Sequence, residues 1–154
     1  TLKVEIPPGG HRIELLPQGG WQAWLQRNRR PERLFRDQTF SISSSSRFKM
    51  QLECQYGDGS NTCLIRDPVS GDAVPLNIAV TLPAGMIDAG GQPVNRRPLL
   101  RDGTGTELFE PAYYVDRKPA TLHFEVGREA VEQMLTGEGK TYTGDVTVIW
   151  DSQV

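Results

Sequence analysis

The sequence predicts an all-β domain of the immunoglobulin-like β-sandwich class, and three observations carry that prediction. Three long segments alternate apolar and polar residues with a period of two: Phe48, Met50, Leu52, Cys54 and Tyr56; Val74, Leu76, Ile78, Val80 and Leu82; and Ala120, Leu122, Phe124 and Val126. Clusters of Gly, Pro, Asn, Asp and Ser punctuate the chain between short strand-like runs. A single segment, residues 128–136, has helical spacing, and it precedes the last strand. A small barrel is the structural alternative. A parallel α/β arrangement is disfavoured, because helices do not separate the strands.

The chain has 154 residues, enough for one domain with its own core. Its net charge of -2 gives no electrostatic reason to expect a nucleic-acid or membrane partner. No apolar run approaches the roughly 20 residues that span a bilayer. The sequence has no N-terminal Met and no charged-then-apolar leader, which suggests a mature chain after signal removal or an excised fragment.

Taken in order, Leu2, Val4 and Ile6 alternate with Lys3 and Glu5, and Pro7-Pro-Gly-Gly10 stops the run. It reads as an edge strand or as a linker arriving from a neighbouring domain. Residues 11–16 read as a second short strand. Residues 21–26 fit a strand face or a helical face equally, and residues 32–37 allow a single helical turn. Phe40 and Ile42 then alternate into a turn of four serines, 43–46. In the strand from Phe48, every second residue is polar (Lys49, Gln51, Glu53, Gln55), the mark of one face on a core and one in water. Cys63, Leu64 and Ile65 start its expected hairpin partner. Pro75 within the next strand suggests a strand start or an edge position. Residues 83–98 read as loop, and Leu108 to Val115 as extended chain interrupted by Pro111. In the helix, Ala130, Val131, Met134 and Leu135 share a side, and Gly137 lies just past its end. The chain closes on a strand in which Tyr142, Val146, Val148 and Trp150 share one face and Thr141, Thr143, Asp145 and Thr147 the other.

The two cysteines, Cys54 and Cys63, flank the turn-rich stretch Gln-Tyr-Gly-Asp-Gly-Ser-Asn-Thr. A hairpin there would pair them in a disulfide and imply an oxidising compartment; the alternative is two free thiols. They do not form a zinc pattern with His11 and His123. Arg101-Asp-Gly-Thr-Gly105 lacks the lysine and the strand–loop–helix setting of a phosphate loop and reads as a turn. Asp58 and Asp72 sit singly in turns, without the spacing of a calcium loop. No Gly-x-Ser-x-Gly elbow exists, and His123 alternates away from the apolar face of its strand toward solvent or a surface contact. No catalytic set and no cofactor site are expected. The densest charge cluster, Arg27, Arg29, Arg30, Arg33 and Arg36, reads as a solvated loop partly neutralised by Glu32 and Asp37. Its sharper reading is a surface contact to an anion or glycan through Arg27, Arg29 and Arg30. Trp21, Trp24 and Trp150 are expected in a core or an interface.

Several blocks also resemble a known family. Lys140-Thr-Tyr-Thr-Gly-Asp-Val-Thr-Val-Ile-Trp-Asp151, Phe40-Ser-Ile-Ser-Ser-Ser-Ser46, Phe48-Lys-Met-Gln-Leu-Glu-Cys54 and the nearby Cys63 are similar to the pilin domain of tip subunits of class 5, alternate chaperone–usher fimbriae. That family includes the cable-pilus minor pilin and the colonisation-factor tip adhesins. The likeness runs from about Trp21 to Val154 and rests on strand and turn patterns. It implies an incomplete immunoglobulin-like fold that lacks its final strand. A periplasmic chaperone fills the groove first, and the donor strand of the adjacent major pilin replaces it, after passage through an outer-membrane usher. On that resemblance, Tyr142, Val146, Val148 and Trp150 form an edge of the donor-strand groove. Residues 1–10 would be a linker or the tail of a missing N-terminal adhesin domain, and residues 11–154 the pilin domain. The location implied is extracellular, at a fimbrial tip reached through the bacterial periplasm, with no chemistry performed. The alternative function is a self-contained secreted β-sandwich that binds glycan or protein through the Arg/Trp-rich loop.

Overall fold

The computed structural model describes residues 2–15, 33–57, 61–101, 108–135 and 140–153. Expectations for Trp21, Trp24, Arg27, Arg29, Arg30, Asp58, Gly137 and most of the turn 101–105 lie outside those residues.

The order of elements is β1 (Leu2–Glu5), β2 (Leu34–Ser44), β3 (Arg47–Cys54), β4 (Cys63–Arg66), β5 (Ala73–Thr81), β6 (Met86–Ile87), β7 (Arg97–Pro98), β8 (Glu110–Pro111), β9 (Val115–Val126), α1 (Arg128–Met134) and β10 (Val146–Gln153). One antiparallel sheet runs β1-β2-β9-β5-β4, with β7 also on β5. A second layer pairs β10 with β3, and Phe48 adds a bridge to Phe109 on the other side of β3. A further short pair joins β6 to β8. This is an all-β, immunoglobulin-like arrangement with one short helix before the last strand.

The alternating segments become the walls of a single core. On β3, Phe48, Met50 and Leu52 are at most 2% exposed; on β5, Val74, Leu76, Ile78 and Val80 are buried; on β9, Ala120, Leu122 and Val126 are buried. The strand prolines sit where one neighbour is absent. Pro75 faces Leu64 of β4 before the β9 ladder begins at Asn77, and Pro119 faces Ser41 of β2 before the β5 ladder begins at Thr121. A missing N–H costs no ladder bond on such an unpaired side. In α1, Val131 is buried, with Ala130, Met134 and Leu135 packed against the core.

Four expectations are corrected. Of the helical turn expected over 32–37, the described residues 33–37 hold none: β2 begins at Leu34, because that stretch pairs with β9 from Leu34↔Val126 onward. Pairing so distant in sequence overrides local ambiguity. Residues 11–15 are irregular rather than a strand. β4 is not the hairpin partner of β3. It crosses to the other sheet and pairs with β5, meeting the β3 end through the single bridge Tyr56↔Leu64. The serine turn is also shorter than expected, since β2 runs to Ser44. Ser44 is fully buried there because its hydroxyl donates to the Ser46 carbonyl at 2.8 Å and can accept the Ser46 N–H at 3.4 Å.

Candidate functional site

The last strand is where the core fails to close. β10 runs antiparallel to β3 through eight pairs, from Val146↔Cys54 to Gln153↔Arg47. Val146, Val148 and Trp150 therefore share a face with Cys54, Leu52 and Met50. Met50 and Leu52 are almost wholly buried, yet Val146, Val148 and Trp150 beside them are only half-buried. Something that covers the β3 row is missing over the β10 row.

The space responsible is a groove of ≈ 1440 Å³ along β10. Its floor is the inner face of the large sheet, including Phe40 of β2, Leu76 of β5 and Leu122 and Phe124 of β9. One wall is β10. The other is Val4 and Ile6 with residues 10–15. Trp150 anchors one end of the β10 wall, packing edge-on to Phe40 with ring centroids 5.5 Å apart and against Phe48 at 5.6 Å. Among the described residues, β10 pairs only with β3 and β1 only with β2. Each wall thus carries a strand with one unpaired backbone edge, over an apolar floor.

The sequence ahead of β10 shapes the far end. Thr143 exchanges both backbone hydrogen bonds with Arg66, at 2.9 and 3.0 Å, before the chain moves across to β3. Gly144 makes that crossing. A Cβ there would lie 3.1 Å from the Leu64 carbonyl oxygen and 3.4 Å from an Ile65 methyl, so a side chain would crowd the crossing. Lys140 donates from Nζ to Asp72 Oδ2, and this bond holds the lysine above its ordinary value. Tyr142 precedes β10 rather than belonging to it. Its ring lines the groove, and its hydroxyl is buried with no hydrogen-bond partner.

Cys54 and Cys63 are joined, with Cα atoms 5.5 Å apart, which ties the end of β3 to the start of β4 and so links the two sheets. A cross-link over so short a loop contributes about 2–3 kcal/mol.

His123 does not face solvent. It bridges Thr81 Oγ1 at 2.7 Å and Asp37 Oδ1 at 2.8 Å, and so stitches β5, β9 and β2 together. Those distances would suit a nucleophile–base–acid row. However, the Thr81 hydroxyl also accepts the Arg96 N–H at 3.0 Å, and none of the three residues lines the groove. The row reads as a cross-strand polar clasp. No group of three or more His, Cys, Asp or Glu among the described residues could hold a metal ion. No helix there is long and apolar enough to cross a membrane. Of the arginine cluster, Arg33 lies in the described residues against the Phe35 ring at 4.5 Å and donates to Glu125 at 3.3 Å.

Of the residues singled out in the sequence, Tyr142, Val146, Val148 and Trp150 all line this groove. The opposite wall was not foreseen. The short alternating run at residues 11–16 does not say which surface it would line, and the role of residues 10–15 follows only from where the chain turns after β1.

Comparison with known proteins adds the fold. No protein-family model matches the chain, and no curated protein does. Among solved structures, a chain of a chaperone–tip adhesin complex from CFA/I fimbriae biogenesis superposes with a TM-score of 0.52 at 12% identity. The match covers 99% of this chain and 43% of that one, so this chain spans less than half of that chain's length.

Proposed function

We propose that the chain is the pilin domain of a fimbrial tip subunit, an assembly module that accepts a strand from another polypeptide. The observation that carries this is the half-open core: an apolar groove whose two walls each offer an unpaired strand edge. An extended segment laid in it would gain main-chain hydrogen bonds from an edge and bury alternate side chains on the floor. A helix would leave those edges unpaired, and a compact small ligand would leave much of an elongated trough empty.

The occupant is an extended donor strand of the adjacent major pilin, preceded during export by a periplasmic chaperone's strand. Delivery is through the outer-membrane usher, and the destination is the extracellular fimbrial tip. The likeness to a chain of a chaperone–tip adhesin complex supports this reading, as does coverage of 43% of that chain, the share one domain of a two-domain subunit would take. The remainder of such a subunit would be an N-terminal adhesin domain that contacts the host cell. No catalysis belongs to the module.

The test compares the bare chain with the chain bound to, or fused to, the N-terminal extension peptide of its major pilin. Full burial of three or four apolar side chains contributes about 1.5–3 kcal/mol each. A domain of this size gains roughly 2–4 °C per kcal/mol, so the melting temperature should rise by about 10 °C or more and aggregation should fall. A bare chain that is a stable monomer, with melting and aggregation unmoved by the peptide, would end the proposal.

A further inference from the structure

We propose that a small pocket on the outer face of the large sheet binds an anionic sugar, a pyranose that carries a carboxylate or a sulfate. The pocket lies where β1, β2 and the start of β9 meet. Lys3, Ser43, Tyr114, Asp116 and Arg117 line it, around ≈ 160 Å³. Lys3 and Ser43 are direct partners across β1 and β2. Their neighbours Val4, Ile42 and Ser44 point inward, so the pocket opens on the side of the sheet opposite the groove. The inference therefore stands apart from the strand-acceptor reading.

A β-bulge builds the site. Ser44 pairs with Val115 and Ile42 with Lys118, so β9 carries one residue more than β2 over that step. Bulges re-aim side chains and are favoured beside functional sites. The Ser43 hydroxyl fixes this one: it accepts the Arg117 N–H at 2.9 Å and lies 3.5 Å from Asp116 Oδ1. Arg117 has a φ of 48°, in the left-handed region that is costly for an L side chain and open to glycine. Glycine would serve the bulge better. The arginine instead brings a guanidinium to the pocket, where no ion pair among the described residues holds it. Lys3 adds a second cation. Its pair with Glu5, at 3.2 Å, is exposed on both sides and readily exchanged for another anion. Tyr114 supplies an aromatic wall that is 63% exposed. Two cations beside an aromatic ring suit the acid group and the apolar face of one sugar, and Ser43 and Asp116 are polar partners for its hydroxyls. A bare anion makes poor use of this set, because Asp116 repels it. A larger apolar ligand finds too little room, since drug-sized sites enclose about 300–1,000 Å³.

The experiment titrates the full, isotope-labelled chain with glucuronate, sulfated glucose, neutral glucose, and acetate or sulfate alone, at matched ionic strength. Amide shifts at Ser43, Tyr114, Asp116 and Arg117 should saturate with one or both acid sugars, and the one that binds identifies the acid group. Glucose and the simple anions should bind roughly tenfold more weakly or worse. Arg117→Gly should melt no lower than its parent, because it removes the backbone cost, and should weaken acid-sugar binding about tenfold. Arg117→Asn, which also tolerates that backbone region, should weaken it likewise. Asp116→Asn should weaken the acid sugars too, whereas it would favour a ligand held by charge alone. The proposal is overturned if neither acid sugar binds, if the simple anions bind as well, or if both Arg117 variants keep the parent affinity. Tighter acid-sugar binding by Asp116→Asn would overturn it equally. A donor strand in the groove should change none of these results, so failure here leaves the strand-acceptor reading standing, and failure of that reading leaves the sugar site standing.

Discussion

At the scale of single residues, the buried charges do structural work and set the pH range of the fold. Asp88 is buried at the close of β6. It accepts the Arg97 guanidinium at 2.7 Å and the backbone N–H groups of Gly90 and Gln92, each at 2.9 Å. The Arg97 hydrogen bond first, then those amides, hold its carboxyl below the usual carboxylate range. Asp67 is lowered chiefly by the Ser70 hydroxyl, which donates to it at 2.7 Å. A carboxyl lowered in the folded state contributes stability that is present above its unfolded value, near pH 4, and is lost as pH falls through the folded value. Lys140 has the opposite sign. Raised by Asp72, it contributes below its ordinary value of 10.5, and that contribution disappears only as pH rises beyond it. Asp88→Asn should therefore melt below the parent at pH 7, with the gap narrowing as pH falls from about 4 toward 2.5. Thermal melts across that range decide it: a gap that stays constant to the acid end would mean the charge of Asp88 is not what matters.

At the scale of elements, β3 and β10 are neighbours with the same alternation and different fates. Leu52 of β3 is 2% exposed, and its direct partner Val148 of β10 is half-buried. Leu52→Ala should cost about 2–5 kcal/mol in urea unfolding of the bare chain, as buried leucines do. Val148→Ala should cost under about 1 kcal/mol there, because much of its surface already meets water, and more once a strand covers it. Equal costs in the bare chain would show that the core is closed over β10. The same pair marks how far the sequence is readable. Period-two alternation identifies both strands and their inward faces, because a strand's own pleat dictates it. It does not say which strand lies beside which. The cysteine-flanked stretch 54–63 has every feature of a hairpin turn, yet β4 departs to pair with β5. Likewise Leu34 and Phe35 are adjacent apolar residues, an arrangement that breaks alternation. Phe35 tolerates its outward position under the Arg33 guanidinium, and β9 pairing makes the segment a strand. Long-range pairing settles both cases, and no local pattern encodes it.

At the scale of the whole molecule, the candidate site is defined by what the two layers leave uncovered. The sequence shows the inward face of β10, but the opposite wall and the opening become visible only when burial is compared across the sandwich. Backbone geometry adds a constraint that side chains do not. In antiparallel pairing, successive residues point their N–H and C=O groups alternately to one neighbour and the other. The Gln55 N–H donates to the Asp145 carbonyl at 2.9 Å, and the Phe48 and Leu52 N–H groups point away from β10, to Phe109 and Leu100. With the register Val146↔Cys54, this directs Thr147, Ile149 and Asp151 toward β3 and Val146, Val148, Trp150 and Ser152 toward the open edge. Hydrogen exchange can read that alternation residue by residue. In the bare chain, amides 147, 149 and 151 should be protected and amides 146, 148, 150 and 152 should exchange quickly, as unpaired edges do. When a donor strand is added, protection should appear on the second set and change little on the first. If an added strand raises the melting temperature but leaves amides 146, 148 and 150 fast, it docks elsewhere, and β10 is not the edge that receives it.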